Sequence, residues 1–299
     1  MTGLPDITLP PGVRVDTCRH GIFASLEGDT HVGRALRAYG EWAEGELKVL
    51  NQILRPGDVV VDAGANIGAL SVPFAKRVGP EGRVFAFEPQ PRLNELLTVN
   101  GFLNGLDNLV PVLAGLGAKA GTARFPDRLT LETGNFGSIT LDPFIRRRVK
   151  GERFLEVPIG PLDEMLELDR LRLIKADIEH MELALIQGAI KTIERHRPVI
   201  LLENSDPDET DPLLEAMTDL GYQGYWLAEF IFRKDNFNAN PENLFETEAC
   251  ANILFVPEAF RVQKMTKVTG RDSHPFARAE AVRAAREAKA AKEQGAERA

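Results

Sequence analysis

Short β-branched and aromatic runs alternate along this chain with stretches whose apolar residues recur at helical spacing. Val59-Val-Val-Asp62, preceded by the Pro56-Gly57 breaker, predicts a buried strand, and Ala63-Gly-Ala-Asn-Ile-Gly68 the turn after it. Residues 67–77 predict a helix stopped near Gly79-Pro80. Val84-Phe-Ala-Phe87 is a second strand, ending at Glu88-Pro89. Leu93, Leu96 and Leu97 share a stripe that places a helix over 91–103, with Gly105 as its stop, and 109–113 is a third strand. The rhythm resumes at 171–176, a strand ending at Asp177, followed by Ile186, Ala189, Ile190 and Ile193 at helical spacing. Residues 198–202 form a buried strand ending at Glu203, and Leu213, Met217 and Leu220 mark a further helix. Strands over 221–227 and 251–256 bring the total to about seven. Such alternation calls for an α/β fold with a mostly parallel sheet and helices on both faces.

The flanks read differently. Residues 1–55 are expected to add N-terminal strands and a helix over 34–54, with Leu47, Leu50 and Leu54 facing the core. Residues 56–257 form the main domain. Within it, 115–160 is rich in Gly, Thr and Pro, an insertion of small strands and loops with pieces at 137–141 and 154–158. Beyond 257 the pattern decays, and 258–299 reads as a flexible arm or solvated helix.

Charge sharpens this division. The formal net charge is −8, but 261–299 holds ten Lys and Arg against five Asp and Glu, which leaves −13 on residues 1–260. An acidic body argues against nucleic acid as a partner, because phosphates need basic surface. Cys18 and Cys250 are the only cysteines and lack metal-type spacing, so a reducing cytoplasm is expected. No apolar run reaches the ~18 residues of a membrane span, and residues 1–20 show no basic start followed by an apolar stretch. A small-molecule or glycan substrate and a homo-oligomer are both compatible with these features.

The densest chemistry is Asp62-Ala-Gly64-Ala-Asn66-Ile-Gly68, a strand end opening into a helix. Gly64 and Gly68 let backbone approach a ligand closely. A dinucleotide site wants G-x-G-x-x-G and a clear helix N-terminus for pyrophosphate. Here the turn is G-x-x-x-G with a carboxylate just before it, which repels phosphate and suits a cationic ligand such as S-adenosylmethionine. Glu88, at the end of the second strand, can accept from both ribose hydroxyls. Asn135, in the loop 135–138, is placed with the cofactor from above the rim, or else only forms a turn. Lys175-Ala-Asp177-Ile-Glu179-His180-Met-Glu182 runs from a buried strand into a helix. Asp177 or Glu179 can orient or deprotonate a substrate hydroxyl, and His180 is a further candidate base. Glu182 reads equally as a helix-start cap. Glu203 and Asn204 end the next strand on the same rim and are candidate substrate contacts. No metal site is assigned, although three clustered acids could hold Mg²⁺ with waters. Phe87, Trp42, Phe136 and Trp226 read as packing residues.

Taken in order, 39–46 (Tyr-Gly-Glu-Trp-Ala-Glu-Gly-Glu), 56–68, Phe87-Glu-Pro89, Asn135-Phe-Gly-Ser138, Leu162-Asp163, Ile174-Lys-Ala-Asp-Ile-Glu179 with Glu182, and Arg197-Pro-Val-Ile-Leu-Leu-Glu203 resemble the FkbM family of S-adenosylmethionine-dependent methyltransferases. The resemblance covers 35–257. It implies the class I methyltransferase (Rossmann-like) three-layer sandwich, a seven-stranded sheet with a last antiparallel strand, and O-methylation of sugars or natural products. It also implies that Asp62, Gly64, Asn66, Gly68 and Glu88 hold the cofactor and that Asp177 and Glu179 line the reaction site. The family usually has Gly after Asp-x-Glu, where this chain has His180; if that Gly supplies a positive φ, His fills the turn only with strain.

Overall fold

The computed structural model describes residues 9–126, 134–137 and 154–276. An antiparallel hairpin of β1 (Val13–Cys18) and β2 (Gly21–Leu26) leads into helices α1 (Val32–Tyr39) and α2 (Glu44–Ile53). The main sheet opens with β3 (Val59–Ala63), α3 (Ser71–Val78), β4 (Arg83–Phe87), α4 (Pro91–Leu103) and β5 (Leu109–Val112). A small sheet then forms from β6 (Gly115–Leu116), β7 (Gly121–Pro126) and β8 (Phe154–Gly160), followed by the short helix α5 (Leu162–Met165). The large sheet resumes with β9 (Leu173–Ala176), α6 (Glu182–Gln187), α7 (Ile190–His196), β10 (Val199–Glu203), α8 (Thr210–Asp219), β11 (Tyr222–Phe230) and β12 (Ala249–Pro257).

The seven strands lie in the order β5-β4-β3-β9-β10-β12-β11, with β12 antiparallel to both neighbours. This is the class I, Rossmann-like arrangement, with one antiparallel strand in an otherwise parallel set. The chain winds outward from β3 to β5 and then returns to lay β9 and β10 on the other side. The switch point between β3 and β9 leaves a crevice at their carboxyl ends, where ligands bind in such sheets. All of β3 is buried, because each face of the sheet carries its own core. Val60 faces one core and Val59, Val61 and Ala63 the other, so strand alternation aims Asp62 into the Val60 side.

Several boundaries depart from the periodic reading. The predicted helix over 34–54 is two helices, because Gly40 (φ +69) ends α1 in a left-handed cap and Ala43 (φ +51) turns the chain into α2. The helix expected from residue 67 starts at Ser71, since the residues before it belong to the turn. The 186–193 pattern is likewise split between α6 and α7. In the insertion, strand 154–158 is found as β8, whereas 138–141 lies outside the described residues.

The C-terminal arm differs most. Residues 258–276 are packed along β11: Trp226 N donates to Thr266 O, Val268 N to Gly224 O, and His274 is buried with its ring 4.9 Å from Trp226. The outer strand would otherwise present an open edge of backbone groups. Residues 277–299 lie outside the described set. No helix among the described residues is long and apolar enough to cross a membrane.

Asn100 joins the N-terminal hairpin to the sheet. Its buried amide accepts from Ala24 N (2.6 Å) and donates to Ala24 O and Ile67 O, the last within the turn after β3. Asn100→Ala strands three buried backbone groups and is expected to cost about 2–4 kcal/mol in chemical denaturation. A loss below about 0.5 kcal/mol would show that this joint is dispensable.

Candidate active site

A cavity of about 280 Å³ opens at the carboxyl ends of β3, β4, β9 and β10. Its first wall is the turn after β3, where backbone accounting is complete. Gly64 N and Ala65 N both donate to Phe87 O, Asn66 N to Glu88 Oε2 (2.8 Å), Ile67 N to Asn66 Oδ1, and Gly68 N to Ala65 O. No amide of the turn remains for a phosphate. Gly64 (φ +75) is obligatory for a second reason: a Cβ there would fall 1.8 Å from Asp177 O, so only glycine lets the two loops abut. Gly68 (φ +85) lies behind the turn against Leu97, outside the cavity wall.

Asp62 lies beneath this turn, fully buried. Its Oδ2 accepts from Ser71 Oγ at 2.5 Å, and its Oδ1, 3.8 Å from Lys175 Nζ, has no hydrogen-bond partner among the described residues. Burial raises its pKa against the opposing pull of Lys175. Glu88 is also buried, accepting from Asn66 N and Gln90 N (2.9 Å); burial outweighs these bonds and pushes its pKa up to about 7. Asn135 lines the mouth with Gly137, on a segment held by Gln90 Nε2 donating to Phe136 O and by backbone bonds joining Gly134 to Gly28 and Thr30.

The opposite wall gathers Asp177, Glu179 and Glu203, whose carboxyl oxygens lie within 4.8 Å of one another. Burial works most strongly against the ionised form of Asp177, but Lys175 Nζ at 3.3 Å together with a hydrogen bond shared with Glu203 outweighs it and holds the pKa below the usual value. Glu179 goes the other way, raised to about 7 by burial and by the Asp177 charge. Glu203 is raised well above its ordinary value by burial and Asp177. The cluster has the spacing to surround a cation, and the Lys175 ammonium already stands against it.

Two of the sequence candidates stand apart. His180 is on the outside, its Nδ1 2.7 Å from Glu209 Oε1, a bond that raises its pKa. Glu179 (φ +52) and His180 (φ +71) are both left-handed, the positive-φ turn that glycine would enter freely. Asn204 is also turned away: its Oδ1 accepts from Thr210, its Nδ2 donates to Asp206 O, and its backbone still pairs with Ala251. Strand alternation explains this, since Asn204 follows Glu203 and takes the opposite face. Glu182 accepts from Ile178 N and so closes its own turn.

Other residues reach the cavity that were not among the site candidates, including Trp42, which reads as a packing residue in the sequence. Trp42 comes from the loop between α1 and α2, His31 from the cap before α1, Glu248 from the β11–β12 connection and Cys250 from β12. That connection is latched by Tyr39, whose hydroxyl donates to Glu242 O and accepts from Leu244 N, and by Glu41, which accepts from Arg19 and Phe237 N. A recess of about 40 Å³ adjoins the cavity beside Phe87, Leu116 and Ile178. Phe87, Phe136 and Trp226 are buried in the core, as packing residues should be.

The family model of the methyltransferase FkbM domain matches residues 62–223, more than half of the chain, a span that includes the turn after β3, Glu88 and the Asp177, Glu179 and Glu203 wall of the cavity. The chain belongs to this family. Among curated relatives, methyltransferase sdnD of Sordaria araneosa is 30% identical over 189 residues, covering 54% of this chain and 71% of that protein. Methyltransferase 1 of Beauveria bassiana (strain ARSEF 2860) is 26% identical over 143 residues, covering 43% of this chain and 57% of its own length. Among solved structures, methyltransferase FkbM from Methylobacillus flagellatus KT is 16% identical with a TM-score of 0.43, covering 69% of this chain and 50% of that one. The FkbM match begins at Asp62, so the segments flanking α1 that bring His31 and Trp42 to the cavity lie before it.

Proposed function

We propose that this FkbM-family chain uses S-adenosylmethionine to methylate a hydroxyl of a sugar, glycan or small natural product. The observation that carries the reading is the turn after β3: all of its amides from Gly64 to Gly68 are spent internally, and a buried carboxylate with a free oxygen lies under it. A pyrophosphate needs exposed amides, whereas a donor bearing an ammonium and a sulfonium is favoured by unspent negative charge. This disfavours a nicotinamide-dependent oxidoreductase.

The residues fit the donor in detail. Glu88 keeps one further lone pair on each oxygen for ribose hydroxyls. The recess between Phe87, Leu116 and Ile178 suits a flat heteroaromatic ring. When bound, the donor supplies an activated methyl group. Toward the acceptor, Asp177 stands ionised to orient a hydroxyl, and Glu179, with its pKa near 7, is matched to accept the proton. Trp42 offers an apolar face beside these acids, a combination suited to a neutral polyol and unfavourable to a phosphate- or carboxylate-bearing acceptor. That same acidity weighs against nucleic acid as the substrate.

Thermal unfolding with saturating ligand tests the donor directly. S-adenosylmethionine or S-adenosylhomocysteine at a hundredfold excess over Kd is expected to stabilise the protein by about 2.7 kcal/mol, with no effect from NAD⁺. Stabilisation by NAD⁺ alone would overturn the reading. Transfer of labelled methyl to neutral glycosides, and not to their phosphorylated forms, checks the acceptor.

A further inference from the structure

Lys175 is buried in the cavity floor and has no assigned role. Residue 175 on β9 is the direct cross-strand partner of Asp62 on β3. Four carboxyls bear on its ammonium from four elements: Asp62 of β3, Glu46 of α2, Glu203 of β10, and Asp177 just after β9. Cys250 of β12, Glu179 and Glu182 of α6 also feel the Asp177 charge, and Glu203 shares a hydrogen bond with it. The ammonium lies 3.3 Å from Asp177 Oδ2, within hydrogen-bond reach, and 3.8 Å from Asp62 Oδ1, outside it. Glu46 is occupied elsewhere, accepting from Asn252 Nδ2 at 2.8 Å. His31, the other basic residue among those described on the cavity wall, has its Nε2 3.3 Å from Glu248.

One buried cation cannot compensate four carboxyls, of which Asp62 and Glu46 are buried and Asp177 and Glu203 half-buried, because each ionised group pays its own desolvation. Geometry decides which one it serves. Asp177 receives the hydrogen bond, and Asp62 is left with an oxygen to which no group among the described residues donates. We propose that Lys175 is a positioning residue that fixes Asp177 as the standing negative charge of the acceptor side and leaves Asp62 incompletely compensated until a cationic donor binds. The inference rests on the donor reading above for its second half; its first half concerns the protein alone. The direction of the pKa values agrees: burial raises Asp62, Glu46 (to about 8) and Glu203, while Asp177 alone of the four is lowered.

Two measurements test it. The first needs no donor: carboxyl ¹³C titration of the aspartates, with the Asp177 signal assigned from Asp177→Asn. In the unaltered protein Asp177 should ionise below the ordinary carboxylate range, and in Lys175→Met its ionisation constant should weaken by at least about tenfold. An ordinary value in the unaltered protein overturns the proposal even if the variant does not fold, and so does a folded Lys175→Met in which Asp177 is unmoved. The second is calorimetry of S-adenosylmethionine binding in buffers of different ionisation heat. Lys175→Met should release more protons on binding than the unaltered protein, since the donor then supplies the only nearby cation; Lys175→Arg should restore the original count. A residue that merely packs would leave the proton count unchanged. Failure of the unaltered protein to bind the donor sinks the functional reading, while the titration still decides the role of Lys175 toward Asp177.

Discussion

Asp177→Ala is expected to lower methyl transfer by about 10²–10⁴-fold, the span typical of losing a positioned acid–base group. Affinity for S-adenosylhomocysteine should stay within about threefold, less than 1 kcal/mol. The separation follows from where the side chain stands. Asp177 shares the far wall with Glu179 and Glu203, whereas the contacts assigned to the donor come from the turn after β3 and from Glu88. The variant also removes the partner of a buried ammonium, so Asp177→Asn, which retains the volume, is the companion measurement. Both should lose turnover, and Asn should lose less stability. Single-turnover methyl transfer alongside calorimetric binding reads the two effects separately. Full turnover in either variant removes Asp177 from the chemistry. Equal losses of turnover and donor affinity would place it with the donor instead.

The legible part of this site was the part written in strand ends. Val59-Val-Val-Asp62 and Val84-Phe-Ala-Phe87 are too apolar and β-branched to be anything but central strands, and a parallel sheet puts the residues that follow them on one rim. This places Asp62, Glu88, Asp177 and Glu203 together, as the cavity wall does. Helix α4 was equally readable, since Pro91 opens it and Gly105 follows its end. Local pattern fails where the deciding contact is remote. Asn204 sits on the same rim as Glu203, but its amide is spent on Thr210 and Asp206, which one-dimensional spacing does not reveal. His180 is turned outward by two consecutive left-handed residues. Lys175 looks like an ordinary polar break in an apolar strand until the register of β3 and β9 sets it beside Asp62. The packed stretch 258–276 carries few large apolar side chains, and backbone pairing along β11 with the burial of Val268 and His274 replaces the amphipathic pattern that would have announced it. In each case a sequence-distant partner outweighs local propensity.

Glu88→Ala is expected to weaken S-adenosylhomocysteine binding by about 10–100-fold, or 1.4–2.8 kcal/mol, the worth of one charge-assisted hydrogen-bonding group. Part of the loss is indirect. The carboxylate receives Asn66 N and Gln90 N, so its removal leaves two amides unsatisfied and loosens the turn as well as the ribose contact. Glu88→Gln is no milder in principle: an amide has one acceptor oxygen, so one backbone N–H would face a donor. The pH dependence separates the two contributions. Burial holds the Glu88 pKa up at about 7 in the free protein, so part of the population is protonated at neutrality. Ribose hydroxyls donate to the carboxylate and favour its ionised form, hence binding must expel that proton. Affinity should therefore be full above pH 8 and fall as the pH drops through about 7, by at most tenfold per pH unit. Glu179 titrates over the same range, so the decisive quantity is the difference between the unaltered protein and Glu88→Ala. If Glu88 grips the ribose as a carboxylate, the variant binds weakly with a flatter profile. Identical profiles with a uniform loss would assign Glu88 to holding the turn alone, and unchanged affinity would remove it from the donor site.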